Sequence, residues 1–256
     1  MTFFDALILG IVEGITEFLP ISSTGHLILL SKFLELSNTS FLKSFEIIIQ
    51  FGAIMSVIVL YWKSFLNTKI LKKLAVGFIP TGLIGLTFYT IVKTYFIGNE
   101  SVVLWSLFLG GILLIIFEFF YKEPENVSNS IETISYKHSF IIGLFQSVAI
   151  VPGISRSGAT IIGGLLLGLK RKTIVEFSFL LAVPTMLAAS GLDLVKNVGS
   201  FSTDQIGILS VGFFSAFLVA LVSIKFLLSF IQKSNFIPFG VYRIILALIF
   251  WFVIFS

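Results

Sequence analysis

Glu13 and Glu17 stand four positions apart in the apolar run that opens the chain. That spacing places both carboxylates on one face of a helix. Holding a charged side chain at the centre of a helix in lipid costs about 2.5–3.5 kcal/mol on insertion scales, so each glutamate needs a compensating partner. A divalent cation, Arg156, or protonation of one member of the pair would serve. Hard oxygen ligands of this kind suit Mg²⁺ or Ca²⁺ and not a soft metal. Pro20 then ends the helix, and Ser22, Ser23, Thr24 and Gly25 open the next one. A helix N-terminus carries free N–H donors and the positive end of the dipole, so it is a ready anion site, although each of these hydroxyls is also an ordinary cap. His26 lies three positions after Ser23, close enough in one turn to manage a serine proton.

The same arrangement occurs again 133 positions later. Residues 10–27 read GIVEGITEFLPISSTGHL and residues 143–160 read GLFQSVAIVPGISRSGAT. The superposition aligns Ser22 with Ser155 and Gly25 with Gly158, while Glu13 meets Gln146 and Ser23 meets Arg156. Arg156 is expected to be the one arginine far from a membrane interface. Its planar fork suits bidentate contact with phosphate oxygens and stabilisation of a transferring phosphoryl group. A salt bridge to Glu13 or Glu17 that holds the repeats together is the plainer role, and both can coexist in an unliganded state. Two broken helices in corresponding halves of a membrane protein point to a site at the bilayer midplane. The residues at these breaks suit a phosphate ester better than a sugar or an amino acid.

The elements that carry these residues belong in a membrane. Of 256 residues 57% are hydrophobic and 12% charged, with a mean hydropathy of +1.07, which leaves too little charge to cover a water-soluble globule. Without a cysteine there are no disulfides or thiolate metal sites, and two histidines make no zinc cluster. The net charge of +4 sits mainly in short connections, as positive-inside topology requires, and does not suggest nucleic acid. The first helix carries Asp5, Glu13 and Glu17 and has no basic n-region, so it does not read as a cleavable signal.

Ten apolar segments are expected, at roughly 3–19, 23–36, 44–62, 74–93 and 101–121, then 139–151, 156–169, 174–192, 206–231 and 239–255. The first pair in each half is too short and polar for two clean spans of about 20 residues and reads as a re-entrant hairpin. The fold class expected is therefore an all-α integral membrane protein with two inverted-topology repeats, six transmembrane spans and two re-entrant helical hairpins. Residues 1–121 form the first repeat, 122–138 a cytoplasmic linker and 139–256 the second repeat. Gly77-Phe78 against Gly212-Phe213 is a further repeat trace. Lys63, Lys69, Lys72 and Lys73 read as one basic loop and Lys170-Arg171-Lys172 as another, both cytoplasmic, which puts the chain termini outside.

EGITEFLPISSTGH (Glu13 to His26) and PGISRSGAT (Pro152 to Thr160) resemble the two signatures of the bacterial undecaprenyl-diphosphate phosphatases, also called bacitracin-resistance proteins. Both motifs stand in the right order and separation, without a departure in either. The resemblance implies a multi-pass inner-membrane enzyme that hydrolyses undecaprenyl diphosphate at the outer face, recycling the lipid carrier of peptidoglycan synthesis with a divalent cation. It implies a site of Glu13, Glu17, Ser23, His26 and Arg156 with Ser155, Ser157 and Thr160; Ser22 and Thr24 join them as hydroxyls at the first break. Glu13 and Glu17 are expected to hold the metal, with Ser23 or a water as nucleophile. The partners implied are the polyprenyl diphosphate, membrane lipid and at most a second copy in a homodimer. A transporter or flippase of the lipid carrier is the alternative, since inverted repeats with broken helices suggest one by themselves. The other class of lipid phosphatase needs a histidine after Ser-Arg, and none follows Arg156.

Overall fold

The computed structural model describes residues 1–96, 98–124, 130–197 and 203–255, and every regular element among them is helical. In order these are α1 (Phe3–Thr16), α2 (Ser23–Phe33), α3 (Ser40–Leu60), α4 (Trp62–Leu66), α5 (Thr68–Ile91) and α6 (Glu100–Phe120). There follow α7 (Tyr136–Ser147), α8 (Arg156–Leu166), α9 (Arg171–Asn197), α10 (Thr203–Phe230) and α11 (Ile237–Phe255). Among the described residues five helical stretches are long and apolar enough to cross a membrane: Ser40–Leu60, Thr68–Ile91, Glu100–Phe120, Arg171–Ala189 and Gln205–Phe230. Ile237–Val253 of α11 is equally apolar but shorter. Leu86 and Phe252, each 76% exposed, belong to an apolar outer surface that only a lipid solvent would match.

Proline dictates where the two polar breaks fall. Its ring clashes with the carbonyl four residues back and it donates no N–H. α1 accordingly stops at Thr16, four before Pro20, and α7 stops at Ser147, after which a 3₁₀ turn carries Val148–Ile150 towards Pro152. Each chain then turns through a serine at positive φ, 70° at Ser22 and 79° at Ser155. Both serines cap the following helix, accepting from Gly25 N at 3.3 Å and Gly158 N at 3.1 Å. The result is two helix pairs, α1 with α2 and α7 with α8, each packed on itself.

Helix α1 lies along α10, and α7 lies along α5. Both crossings need glycine: a Cβ on Gly10 would sit 2.6 Å from the Gly212 carbonyl, and one on Gly143 2.0 Å from the Gly77 carbonyl. Helix α3 packs on α10 and α9, α5 also packs on α9, and α6 packs on α11. The main core gathers Phe18, Leu19 and Ile21 of the first break with Ile161 and Leu165 of α8 and Phe177 to Val183 of α9, so the two breaks are packed together.

One expectation needs correction. The four lysines read as a loop are helical: Lys63 lies in α4, and Asn67 caps α5 by accepting from Lys69 N at 3.0 Å, so Lys69, Lys72 and Lys73 ride its first turns. Lys73 is buried and donates to the carbonyls of Ile131 and Glu132. Within the stretch 122–138, Ile131 and Ile134 join the core and α7 begins at Tyr136; its residues 125–129 lie outside the described residues. Arg171 is likewise drawn out of its basic cluster into a bidentate pair with buried Glu118 that ties α9 to α6, and Glu118 also accepts from Phe236 N just before α11.

Candidate active site

The two breaks meet around a cavity of about 210 Å³. Glu17, Ser22, Ser23 and Thr24 line it from the first break, and Pro152, Gly153, Ser155 and Arg156 from the second. Ala149 and Val151, Gln50 of α3, and Met186 and Ala189 of α9 complete the wall. Both α2 and α8 begin here, so their unpaired N–H groups and dipoles add positive potential for an anion.

Glu17 organises the polar side. Its Oε2 accepts from Ser23 Oγ at 2.5 Å and its Oε1 from Arg156 Nη2 at 2.6 Å, so one carboxylate joins serine and guanidinium across 139 positions of sequence. Arg156 donates a second bond to the Ser178 carbonyl at 3.0 Å, and its guanidinium lies 5.9 Å from the centre of the Phe18 ring. Its Nε is buried without a partner, leaving one donor of the fork uncommitted. Side-chain exposure is 13% for Arg156 and 6% for Glu17, so water screens this pair weakly.

The remaining expected residues divide. Ser155 Oγ lies 3.1 Å from Ser157 Oγ, and Ser157 donates to the Leu19 carbonyl at 2.8 Å, fastening one break to the other. Thr160 is held by the Arg156 and Ser157 carbonyls and by Ser178 Oγ. Ser157 and Thr160 are committed to these bonds and do not line the cavity. His26 and Ser23 are not brought together. His26 Nδ1 donates to the Ser22 carbonyl at 2.7 Å, so in the neutral ring Nε2 accepts from Tyr242 OH, also at 2.7 Å. Those rings stack at 5.5 Å with an interplanar angle of 3°.

Glu13 is fully buried behind Glu17, and neither of its carboxylate oxygens has a partner. Glu13 does not itself line the cavity, but an orphaned carboxylate one helical turn from Glu17, which does, has the chemistry of part of a cation site. Among the described residues no three acidic, histidine or cysteine side chains converge, so Glu13 and Glu17 would need oxygens from substrate or water to complete a ligand sphere.

Three residues near the site went unread in the sequence: Gln50, Tyr242 and Arg243. Gln50 interrupts the apolar run of α3, and that was a usable signal. Arg243 is 2% exposed and its guanidinium reaches both breaks, whereas the sequence drew attention to Arg156 alone.

Residues 6–249 match the family model described as Bacitracin resistance protein BacA. Proteins named undecaprenyl-diphosphatase are similar along almost their whole length: 53% identical in Sulfurihydrogenibium sp., covering 98% of this chain and 99% of the relative. Corresponding values are 51% in Wolinella succinogenes and 49% in Aquifex aeolicus, each covering 98% of both chains. With both motifs in place at facing helix breaks and the match running from end to end, this chain belongs to the bacitracin resistance protein BacA family.

Proposed function

We propose that this membrane protein hydrolyses undecaprenyl diphosphate to undecaprenyl phosphate and inorganic phosphate. The observation that carries the reading is the Ser23–Glu17–Arg156 chain at the junction of two helix N-termini. A nucleophile, a base already bonded to it and a guanidinium are the parts phosphoryl transfer needs. The relatives are named for the hydrolysis, so the flippase alternative is not favoured.

In this mechanism Ser23 Oγ attacks the terminal phosphorus and passes its proton to Glu17. The bond from that phosphorus to the bridging oxygen breaks, and undecaprenyl phosphate leaves with the electron pair. Water then attacks the phosphoserine, releasing phosphate and restoring Ser23. Arg156 turns from Glu17 to the equatorial oxygens, with the N–H groups of α2 and α8 adding donors. His26 holds the first break against α11 through Tyr242 instead of handling the serine proton itself. Glu13 and Glu17 would hold a divalent cation, which when bound supplies positive charge to the diphosphate; the unpaired oxygens of Glu13 fit that role.

Six spans in two inverted halves, with α1–α2 and α7–α8 as re-entrant pairs, complete the reading. The exchanged packing supports it: α1 meets α10 as α7 meets α5, and Gly10–Gly212 is repeated by Gly143–Gly77. Positive-φ caps at Ser22 and Ser155 fall 133 positions apart as well. Placement in the inner membrane with the cavity towards the outer face follows the family resemblance.

The test is phosphate release from undecaprenyl diphosphate by purified protein in detergent, with Ser23→Ala alongside and rapid quench of terminally labelled substrate. Release by the wild type, loss in Ser23→Ala and label trapped on the protein are expected. No release by the wild type would remove the hydrolase reading. Substantial turnover in Ser23→Ala with no trapped label would leave hydrolysis standing by direct attack of water.

A further inference from the structure

Arg243 is buried on α11 and forms no ion pair with any described residue. Its guanidinium donates instead to five backbone carbonyls. Nε bonds Leu107 at 3.3 Å, and Nη2 bonds Ser106 at 2.9 Å and Gly153 at 3.0 Å. Nη1 bonds Ile154 at 3.0 Å and Pro20 at 3.4 Å. Two of these carbonyls belong to α6, one to the first break and two to the second.

Such a pattern has a physical reason. A broken helix leaves carbonyls with no intrahelical donor, and in a water-poor interior each must find a partner. A planar fork with five N–H groups can serve five carbonyls from several segments at once, whereas an ammonium has only three donors on one nitrogen. Room for it depends on Gly110, where a Cβ would lie 2.1 Å from Nη2. Gly110 stands 133 positions before Arg243, the offset that relates the two breaks, so the arginine fills the space left by its own missing counterpart. Arg243 does not line the cavity, and a role as a substrate contact therefore finds no support.

We infer that Arg243 is a positioning residue for the reaction: by tying Pro20 to Gly153 and Ile154, it sets the distance across which Ser23 and Glu17 face Arg156. Pro20 lies three residues before Ser23, and Ile154 two before Arg156, so slack at these carbonyls passes directly to the reacting groups. The inference rests on the hydrolysis reading for its kinetic consequence, though not for its geometric one.

Purified full-length Arg243→Gln, Arg243→Lys and Gly110→Ala would be compared with wild type, using only the monodisperse folded fraction. Misalignment of reacting groups should lower kcat on the order of 10²-fold in Arg243→Gln with KM little changed. Lysine should not restore it. Gly110→Ala, which keeps the charge but displaces the fork, should lower kcat in the same direction. In parallel, spin labels on Thr24→Cys and Ala149→Cys in this cysteine-free chain report the separation of the breaks without any turnover; the distribution should be narrow with Arg243 and broad in Arg243→Gln. Unchanged kcat with an unchanged distribution, rescue by lysine, or a rise in KM at constant kcat would each overturn the assignment. If wild type released no phosphate, the hydrolysis reading would fail while the spin-label distances still decided this one.

Discussion

Glu17 has two oxygens, and the fold commits one to Ser23 and the other to Arg156. Sequence spacing pointed from Ser23 towards His26, but a helical turn offers many neighbours and the rotamers choose among them. We expect Glu17→Gln to lower kcat by about 10²–10⁴-fold, the range for loss of a general base, and His26→Gln to cost less; steady-state phosphate release compares them. Arg156→Lys should lose on the order of 10²-fold in the same assay, since a point charge cannot both reach the phosphoryl oxygens and keep the Ser178 carbonyl. Glu13 makes a different forecast. Its carboxylate is buried and unpaired, so Glu13→Gln should leave Tm in chelator unchanged or raised and abolish the Tm increase that Mg²⁺ gives the wild type. A Mg²⁺ response that survived the substitution would take Glu13 out of the cation site.

Elements place these side chains through backbone contact more than through side-chain bulk. The α7–α5 crossing is as close as Gly143 and Gly77 permit, and the α1–α10 crossing repeats it with Gly10 and Gly212. Gly143→Ala would press a methyl into the Gly77 carbonyl, and its overpacking should cost about 1–3 kcal/mol in thermal or denaturant unfolding. Gln146 lies three residues beyond and donates to Thr81 and Thr185, so the shift would also disturb the hydrogen bonds that anchor the second break. The breaks themselves were legible because proline acts within four residues of itself. The start of α5 was not, since a run of lysines says nothing of whether its backbone is helical until Asn67 is seen capping it.

At the scale of the whole molecule, the inverted arrangement proposed above would put the start of α5 and the start of α9 on one side of the membrane. Cysteines introduced at Lys69 and Lys170 should therefore react with an impermeant maleimide from the same side of sealed vesicles; labelling from opposite sides would refute the two-halves topology. Membrane class, helical content and the two breaks followed from the sequence alone, as did the choice of Glu17, Ser22, Ser23, Thr24, Ser155 and Arg156, which the fold gathers around one cavity. Those features rest on composition, on periodicity and on proline, glycine and serine acting over a turn or two. Tertiary structure alone decided which groups became partners: Glu17 with Arg156 across 139 positions, His26 with Tyr242 across 216, and Arg243 with Pro20 across 223. It also committed Ser157 to the Leu19 carbonyl and Thr160 to the Ser178 hydroxyl. A chain states locally where it must break and which charges it buries. Which buried charge meets which depends on helix crossings set by glycines far apart in sequence, and those distances exist only once the helices have packed.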